Sequence, residues 1–281
     1  MIRHYAAALS YLILFQLFAT GRLYADSASE STRLEIEPFI SAITYKEPDI
    51  MQETGMMVGL RAVYMWQPRS LKLVDTVRLD VLASKGQLDY SSTSSGSMYD
   101  ILNAMFEARA LLGRTLVRMK RSDVSLYSGF GYRHLSDMGG GMVSTEGYLG
   151  YDRSTSYLYL PIGIGLQSKL GSEWVLDSVI EYDVLLKGIQ TSYMTQLNNA
   201  YYTYSNDIVN HQYKGAGFRV AAKFIYDNLA IEPYFRYWNI GKSTRSTLTR
   251  YSGSGTGSQV YYVWEPPNNS TEFGFGLSVL F

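Results

Sequence analysis

Glu272-Phe273-Gly274-Phe275-Gly276-Leu277-Ser278-Val279-Leu280-Phe281 decides the fold. Phe273, Phe275, Leu277, Val279 and Phe281 occupy every second position, and Glu272, Gly274, Gly276 and Ser278 lie between them. An extended strand turns successive side chains to opposite faces, so this stretch has one apolar face and one small or polar face. A helix would need apolar residues at a period near 3.6, which is absent. The same alternation recurs at about 34–45, 56–67, 72–88, 101–116, 124–136, 156–169, 174–191, 213–226 and 229–242, with 271–281 as the tenth segment. Each reaches or exceeds the ~9–11 residues that a tilted strand needs to cross a bilayer.

The two parities differ in charge. One carries Glu35, Glu37, Arg61, Arg78, Asp80, Glu107, Arg109, Arg133, Asp177, Glu181, Asp183, Lys187, Arg219, Lys223, Glu232, Arg236, Lys242 and Glu272. In mid-strand the other reads Val77, Leu79, Val81 and Ala83, then Ala104, Phe106 and Ala108, then Leu158, Leu160, Ile162 and Ile164. A Lys or Arg facing lipid at the midplane costs ~2–4 kcal/mol, so a bilayer enforces this segregation. The charged parity is expected to line the lumen. Ten strands leave a narrow interior, and these charges are expected to pair and plug it.

The alternating stretch ending on Phe281 resembles the terminal signal that outer-membrane barrel proteins present to their assembly machinery. The beginning of the chain is consistent with this. Arg3 and His4 precede an apolar run from Tyr5 to Phe18, and a cut after Ala25 is predicted, so residues 1–25 read as a signal peptide. The apolar run is short for a membrane-spanning helix. The expected organisation is therefore a signal peptide at 1–25 and an all-β, transmembrane antiparallel barrel of ten strands at 26–281. Short connections at 67–70, 120–123, 170–172 and 227–228 alternate with longer ones at 46–55, 89–100, 137–155, 192–212 and 243–270. Outer-membrane barrels have short periplasmic turns and long outer loops. The expected location is the bacterial outer membrane. The expected partners are its lipids and the assembly machinery, and the expected state is a monomer.

Composition excludes several chemistries. No cysteine is present among 281 residues, which removes thiolate metal sites and Cys nucleophiles. The formal net charge is +0, and no basic stripe points to nucleic acid. Beyond the predicted leader only His134 and His211 remain, and no carboxylate cluster has ligand spacing, so neither a metal nor a cofactor is expected.

Gly131-Tyr132-Arg133-His134-Leu135-Ser136-Asp137 carries the one candidate for nucleophilic chemistry. Two residues apart on a strand, His134 and Ser136 share a face, so the imidazole can accept the serine proton. The stretch resembles the His-x-Ser-Asn segment of two outer-membrane lipid hydrolase families, the phospholipase A type and the lipid A deacylase type. That resemblance implies a lipid-facing site near the outer rim. Asp137 stands where those families have Asn. Glu146 is the candidate third member, and amides of Gly139-Gly140-Gly141 are candidate oxyanion donors. The ten-strand topology also resembles the omptin proteases, which have an Asp pair in the second outer loop and Asp-x-His in the fourth. Here Asp89 and Asp100 are far apart in sequence, and Asp207 and His211 are four apart. The loops around 90–96, 201–206 and 251–257 are rich in Tyr, Ser, Gly and Asn, a composition suited to extracellular recognition. The favoured expectation is a non-catalytic barrel with a structural or surface-interaction role. The alternatives are a lipid hydrolase using Ser136 and His134, or a narrow selective pore.

Overall fold

A computed structural model describes residues 31–68, 73–253 and 257–281. The predicted leader and the second half of the 67–70 turn, Arg69 and Ser70, lie outside the described residues. The chain forms β1 (Ser31–Glu47), β2 (Met51–Gln67), β3 (Thr76–Ser92), β4 (Gly96–Arg118), β5 (Ser122–Met138), β6 (Asp152–Leu170) and β7 (Trp174–Ser192). There follow β8 (Tyr202–Tyr204), β9 (Ile208–Gln212), β10 (Gly215–Tyr226), β11 (Leu229–Ile240), β12 (Ser246–Ser252), β13 (Ser258–Val263) and β14 (Asn268–Leu280). All pairings are antiparallel, and β14 joins β11 to β1. Both β9 and β10 pair with β7, so they act as one interrupted strand and the barrel closes with ten staves.

The strands run further at their outer ends than the apolar pattern predicts. β1 and β2 stay paired to Glu47↔Met51, and β3 and β4 to Ser92↔Gly96. The expected long connections at 46–55 and 89–100 are therefore tight hairpins. Their outward residues, among them Lys46, Gln52 and Thr54, are exposed and polar. Above the lipid the outward face meets water, so the period-two hydrophobic signal fades while the backbone pairing continues. The 243–270 segment is also more ordered than a loop: β12 and β13 form a hairpin that pairs with β8 in a separate three-stranded sheet.

The lumen is filled by large side chains laid over glycines. Gly131 pairs with Tyr159, Gly163 with Tyr127, and Gly274 with Tyr234. A Cβ on Gly131 would overlap the Tyr159 ring, so only glycine lets that ring lie flat on β5. Tyr159 in turn packs edge-on to Trp238, whose centroid is 5.1 Å away.

Two expected lumen residues lie outside. A register shift between Leu158 and Tyr159 sets Leu158 opposite Lys187 but Tyr159 opposite Leu185. This bulge takes up one residue of β7, Leu186, so Leu185 keeps the inward face of Glu181 and Asp183 while Lys187 turns outward into exposure. One extra residue inverts the parity of everything beyond it. Lys242 lies past the end of β11, with its Nζ 3.8 Å from the centroid of the Trp264 ring and exposed to the surroundings.

Candidate functional site

Three groups of polar side chains stand out. The first fills the lumen. Near the periplasmic end, Arg61 bonds Glu37 at 2.8 Å and Glu232 at 2.7 Å. Lys223 reaches Glu35, Glu37 at 3.3 Å and Glu232 at 3.0 Å. The ligand atoms of Glu35, Glu37 and Glu232 lie within 4.8 Å of one another, a spacing open to a cation, and the Lys223 ammonium stands among them. Higher up, Arg109 contacts Glu181 and lies 3.5 Å from Asp80, which Arg78 bonds at 2.7 Å. Arg219 bridges Glu107 at 3.1 Å and Glu181 at 3.3 Å. Arg236 reaches Glu107 at 3.2 Å and Glu272 at 3.7 Å.

Three predicted members of this lumen network stand apart from its pairing. Arg133 is 1% exposed and lies over the Trp238 ring at 5.9 Å, and among the described residues no acid is within 4.0 Å of it. Asp177 and Asp183 also face inward, and among the described residues neither has a cation within 4.0 Å. Parity sets the face a side chain occupies, while its partner depends on strands distant in sequence.

The second group caps the lumen and was not expected from sequence. Arg153 bonds Glu53 at 2.7 Å, Glu47 at 3.1 Å and Asp137 at 3.1 Å. The Tyr45 hydroxyl lies 3.1 Å from Glu47 and 3.3 Å from Glu265. Burial pushes the Glu265 carboxyl up to about 7, with Arg153 opposing and Glu47 reinforcing the shift. Above this layer opens a vestibule of about 420 Å³ walled by Tyr151, Tyr204, Leu248, Tyr261 and Trp264. The signal for this layer was inward parity continued outward, through Tyr45 and Glu47 on β1 and Thr155 and Arg153 on β6. Apart from Tyr45, at the end of the first strand segment, it fell in segments read as loops.

The third group is on the outer wall. Ser136 Oγ lies 3.2 Å from His134 Nε2, and His134 Nδ1 lies 2.9 Å from Ser156 Oγ. The Tyr132 hydroxyl is 3.1 Å from the same Ser156 oxygen. The β5–β6 register sets Ser156 directly opposite His134, so the neighbour of the imidazole is Ser156 and not Glu146. Glu146 instead sits in the loop after β5, over the turn at Gly96. Asp137 points to the other face of β5, held by Arg153, so its charge is turned away from Ser136. The Gly140 amide, a candidate oxyanion donor, donates to Asp152 Oδ1 at 2.8 Å. Phe130, Tyr132 and Met138 are exposed on the same wall, which places the serine–histidine–serine chain at the outer rim of the apolar belt.

The omptin-like positions are engaged elsewhere. Asp89 Oδ1 accepts from the Asp100 amide at 3.0 Å, and Asp207 holds Thr195 through its amide at 2.9 Å and its hydroxyl at 2.7 Å. His211 lies on β9 beside the Tyr213 ring.

No family model and no curated protein matches the chain. Solved structures do. The outer membrane protease OmpT from Escherichia coli superposes with a TM-score of 0.59 at 11% identity, over 91% of this chain and 99% of that one. The translocator domain of autotransporter NalP from Neisseria meningitidis matches with a TM-score of 0.40 at 11% identity, over 96% of both chains. Neisserial surface protein A matches with a TM-score of 0.34 at 11% identity, over 89% of this chain and 98% of that one. The closed antiparallel barrel with an apolar outer belt makes this chain a bacterial outer-membrane β-barrel protein.

Proposed function

We propose that the protein is a non-conducting, non-catalytic outer-membrane barrel that acts through its extracellular face, in a structural or surface-interaction role. The observation that carries this reading is the ion-pair network spanning the lumen. Glu37, Arg61, Asp80, Glu107, Arg109, Glu181, Arg219, Lys223, Glu232 and Arg236 are all nearly inaccessible. Charges paired this closely leave no continuous water column for ions to follow. The extracellular end is built differently, with an aromatic-walled vestibule beneath exposed tyrosines such as Tyr201 and Tyr262. Tyrosine supplies large amphipathic contact area at small entropic cost, which suits recognition. Purified barrel in a planar bilayer should show no large, steady conductance step. A step comparable to that of a general porin would overturn the reading in favour of transport.

The Ser136–His134–Ser156 chain favours a second reading, a lipid-directed hydrolase. His134 would take the Ser136 proton as Oγ attacks an ester carbonyl, and Ser156 would fix the imidazole through Nδ1. A serine in that third position orients the ring without supplying the negative charge that stabilises an imidazolium. Under the non-catalytic reading, refolded barrel offered phospholipid or lipid A releases no more acyl chain than its Ser136→Ala variant. Release by the parent that disappears in Ser136→Ala would make the protein a hydrolase.

A further inference from the structure

The two lysines that parity assigned to the lumen, Lys187 and Lys242, stand on one wall outside it. The pairings Gly188↔Gln212 and Ala216↔Val184 bring Lys187 level with Tyr213. Gly215↔Ile240 brings Tyr213 level with Lys242. All three side chains are exposed. With neighbouring strands about 4.8 Å apart, Lys187 and Lys242 frame a span of about 10 Å across Tyr213. Arg245 joins them: its guanidinium lies 5.9 Å from the Trp264 ring that also underlies Lys242, and 5.6 Å from Tyr262. Among the described residues none of these three cations has a carboxylate within 4.0 Å. That contrasts with the lumen, where most cations have at least one acid.

The height of this row identifies what it meets. The Trp174–Tyr226 contact, with ring centroids 5.1 Å apart, marks the lower edge of the belt on β7 and β10. Above it the outward residues are Ile180, Tyr182 and Leu186 on β7, and Phe224 and Phe218 on β10, all exposed and apolar. The twelve residue steps from Trp174 to Leu186 span about 40 Å of strand, or ~30 Å of height at a ~40° tilt, close to the ~25 Å of an outer-membrane apolar belt. Lys187 follows directly. The cations therefore begin where the acyl chains end and the outer-leaflet head groups start.

We propose that Lys187, Lys242 and Arg245, over Tyr213 and Trp264, form a binding site for the phosphorylated head group of an outer-leaflet glycolipid. The phosphate oxygens accept from the two ammonium groups and the guanidinium, while the acyl chains lie against Leu186, Phe218 and Tyr182. Exposed cations with no acid partner are free to pair with phosphate, and Arg and Lys both suit that anion. The aromatic rings beneath them hold the cations at the membrane boundary, where Trp and Tyr are favoured.

The test uses the full-length protein purified in mild detergent from outer membranes. Lipid A retained per barrel is measured by mass spectrometry. The combined Lys187→Gln, Lys242→Gln, Arg245→Gln variant should retain at least fivefold less than the parent. Lys85→Gln, an exposed lysine on β3, should retain as much as the parent. Heat-modifiability on gels checks that each variant is folded, and Lys242→Gln alone, expected to lower retention about twofold, stands in if the triple variant does not fold. In a second arm, delipidated barrel is offered phosphatidylcholine vesicles containing either diphosphoryl lipid A or its dephosphorylated form. Only the phosphorylated form should bind, and millimolar inorganic phosphate should not displace it. Equal retention by the folded triple variant, equal binding of the dephosphorylated lipid, or displacement by free phosphate would each overturn the proposal.

Discussion

Glu107→Ala should destabilise the barrel by about 3–5 kcal/mol, the cost of removing one partner from a buried ion pair. Glu107 is 1% exposed and accepts from Arg219 at 3.1 Å through both oxygens, with Arg236 at 3.2 Å and the Tyr159 hydroxyl alongside. Its loss takes an acid from two guanidiniums in a narrow interior. Arg219 retains Glu181, while Arg236 retains only Glu272 at 3.7 Å. The carboxylate is therefore expected to matter more than its volume, and Glu107→Gln should recover little of the loss. Reversible urea unfolding in vesicles, followed by tryptophan fluorescence, measures the change. Glu173→Ala, at an exposed turn position, should stay within about 0.5 kcal/mol of the parent. A loss below 1 kcal/mol at Glu107 would mean that water solvates these guanidiniums, and the lumen would then be wet rather than plugged.

Arginine at Phe106 should cost about 2–4 kcal/mol, and the same substitution at Leu79 or Ile162 should cost a similar amount. All three side chains are exposed, Phe106 at 41%, although they sit in mid-strand. An apolar ring with that much exposure in the middle of a stave is explained by a hydrocarbon solvent. Gln52→Arg supplies the contrast. Gln52 is also outward, but lies near the outer end of β2 opposite Lys46, above the belt, where the cost should fall to about 0–1 kcal/mol. The comparison of folded yields and urea midpoints among these variants maps the edge of the membrane. Equal effects at Gln52 and Phe106 would contradict a depth-dependent solvent and with it the parity assignment.

The Ser136–His134–Ser156 chain and the proposed glycolipid site lie close together on the wall. Lys187 pairs with Leu158, and Ser156 pairs with Ile189, one outward position higher. A phosphorylated glycolipid seated on the cations would thus lie near Ser136 and His134. The two assays separate these roles, since acyl release depends on Ser136 and retention depends on the cations.

Sequence alone determined the ten staves, their closure and which mid-strand residues face lipid. A bilayer outside and a narrow interior inside impose opposite chemistry on alternate residues, and that difference is written locally, two residues at a time. The face of Glu107 or Phe106 is legible from its immediate neighbours. The order of the outer hairpins was not, because above the membrane both faces of a strand are polar and the alternation that marks a strand disappears. For the same reason the Arg153 layer with Glu47, Glu53 and Glu265 was hidden in apparent loops. Tertiary structure decided the rest. The partner of Arg133 is Trp238, about a hundred residues away, and the partner of His134 is Ser156, set by the register between β5 and β6. The bulge opposite Leu158 turned Lys187 from the lumen to the outer wall. A bulge adds one residue without changing composition or periodicity on either side, so only the pairing with the neighbouring strand reveals which face the chain then presents.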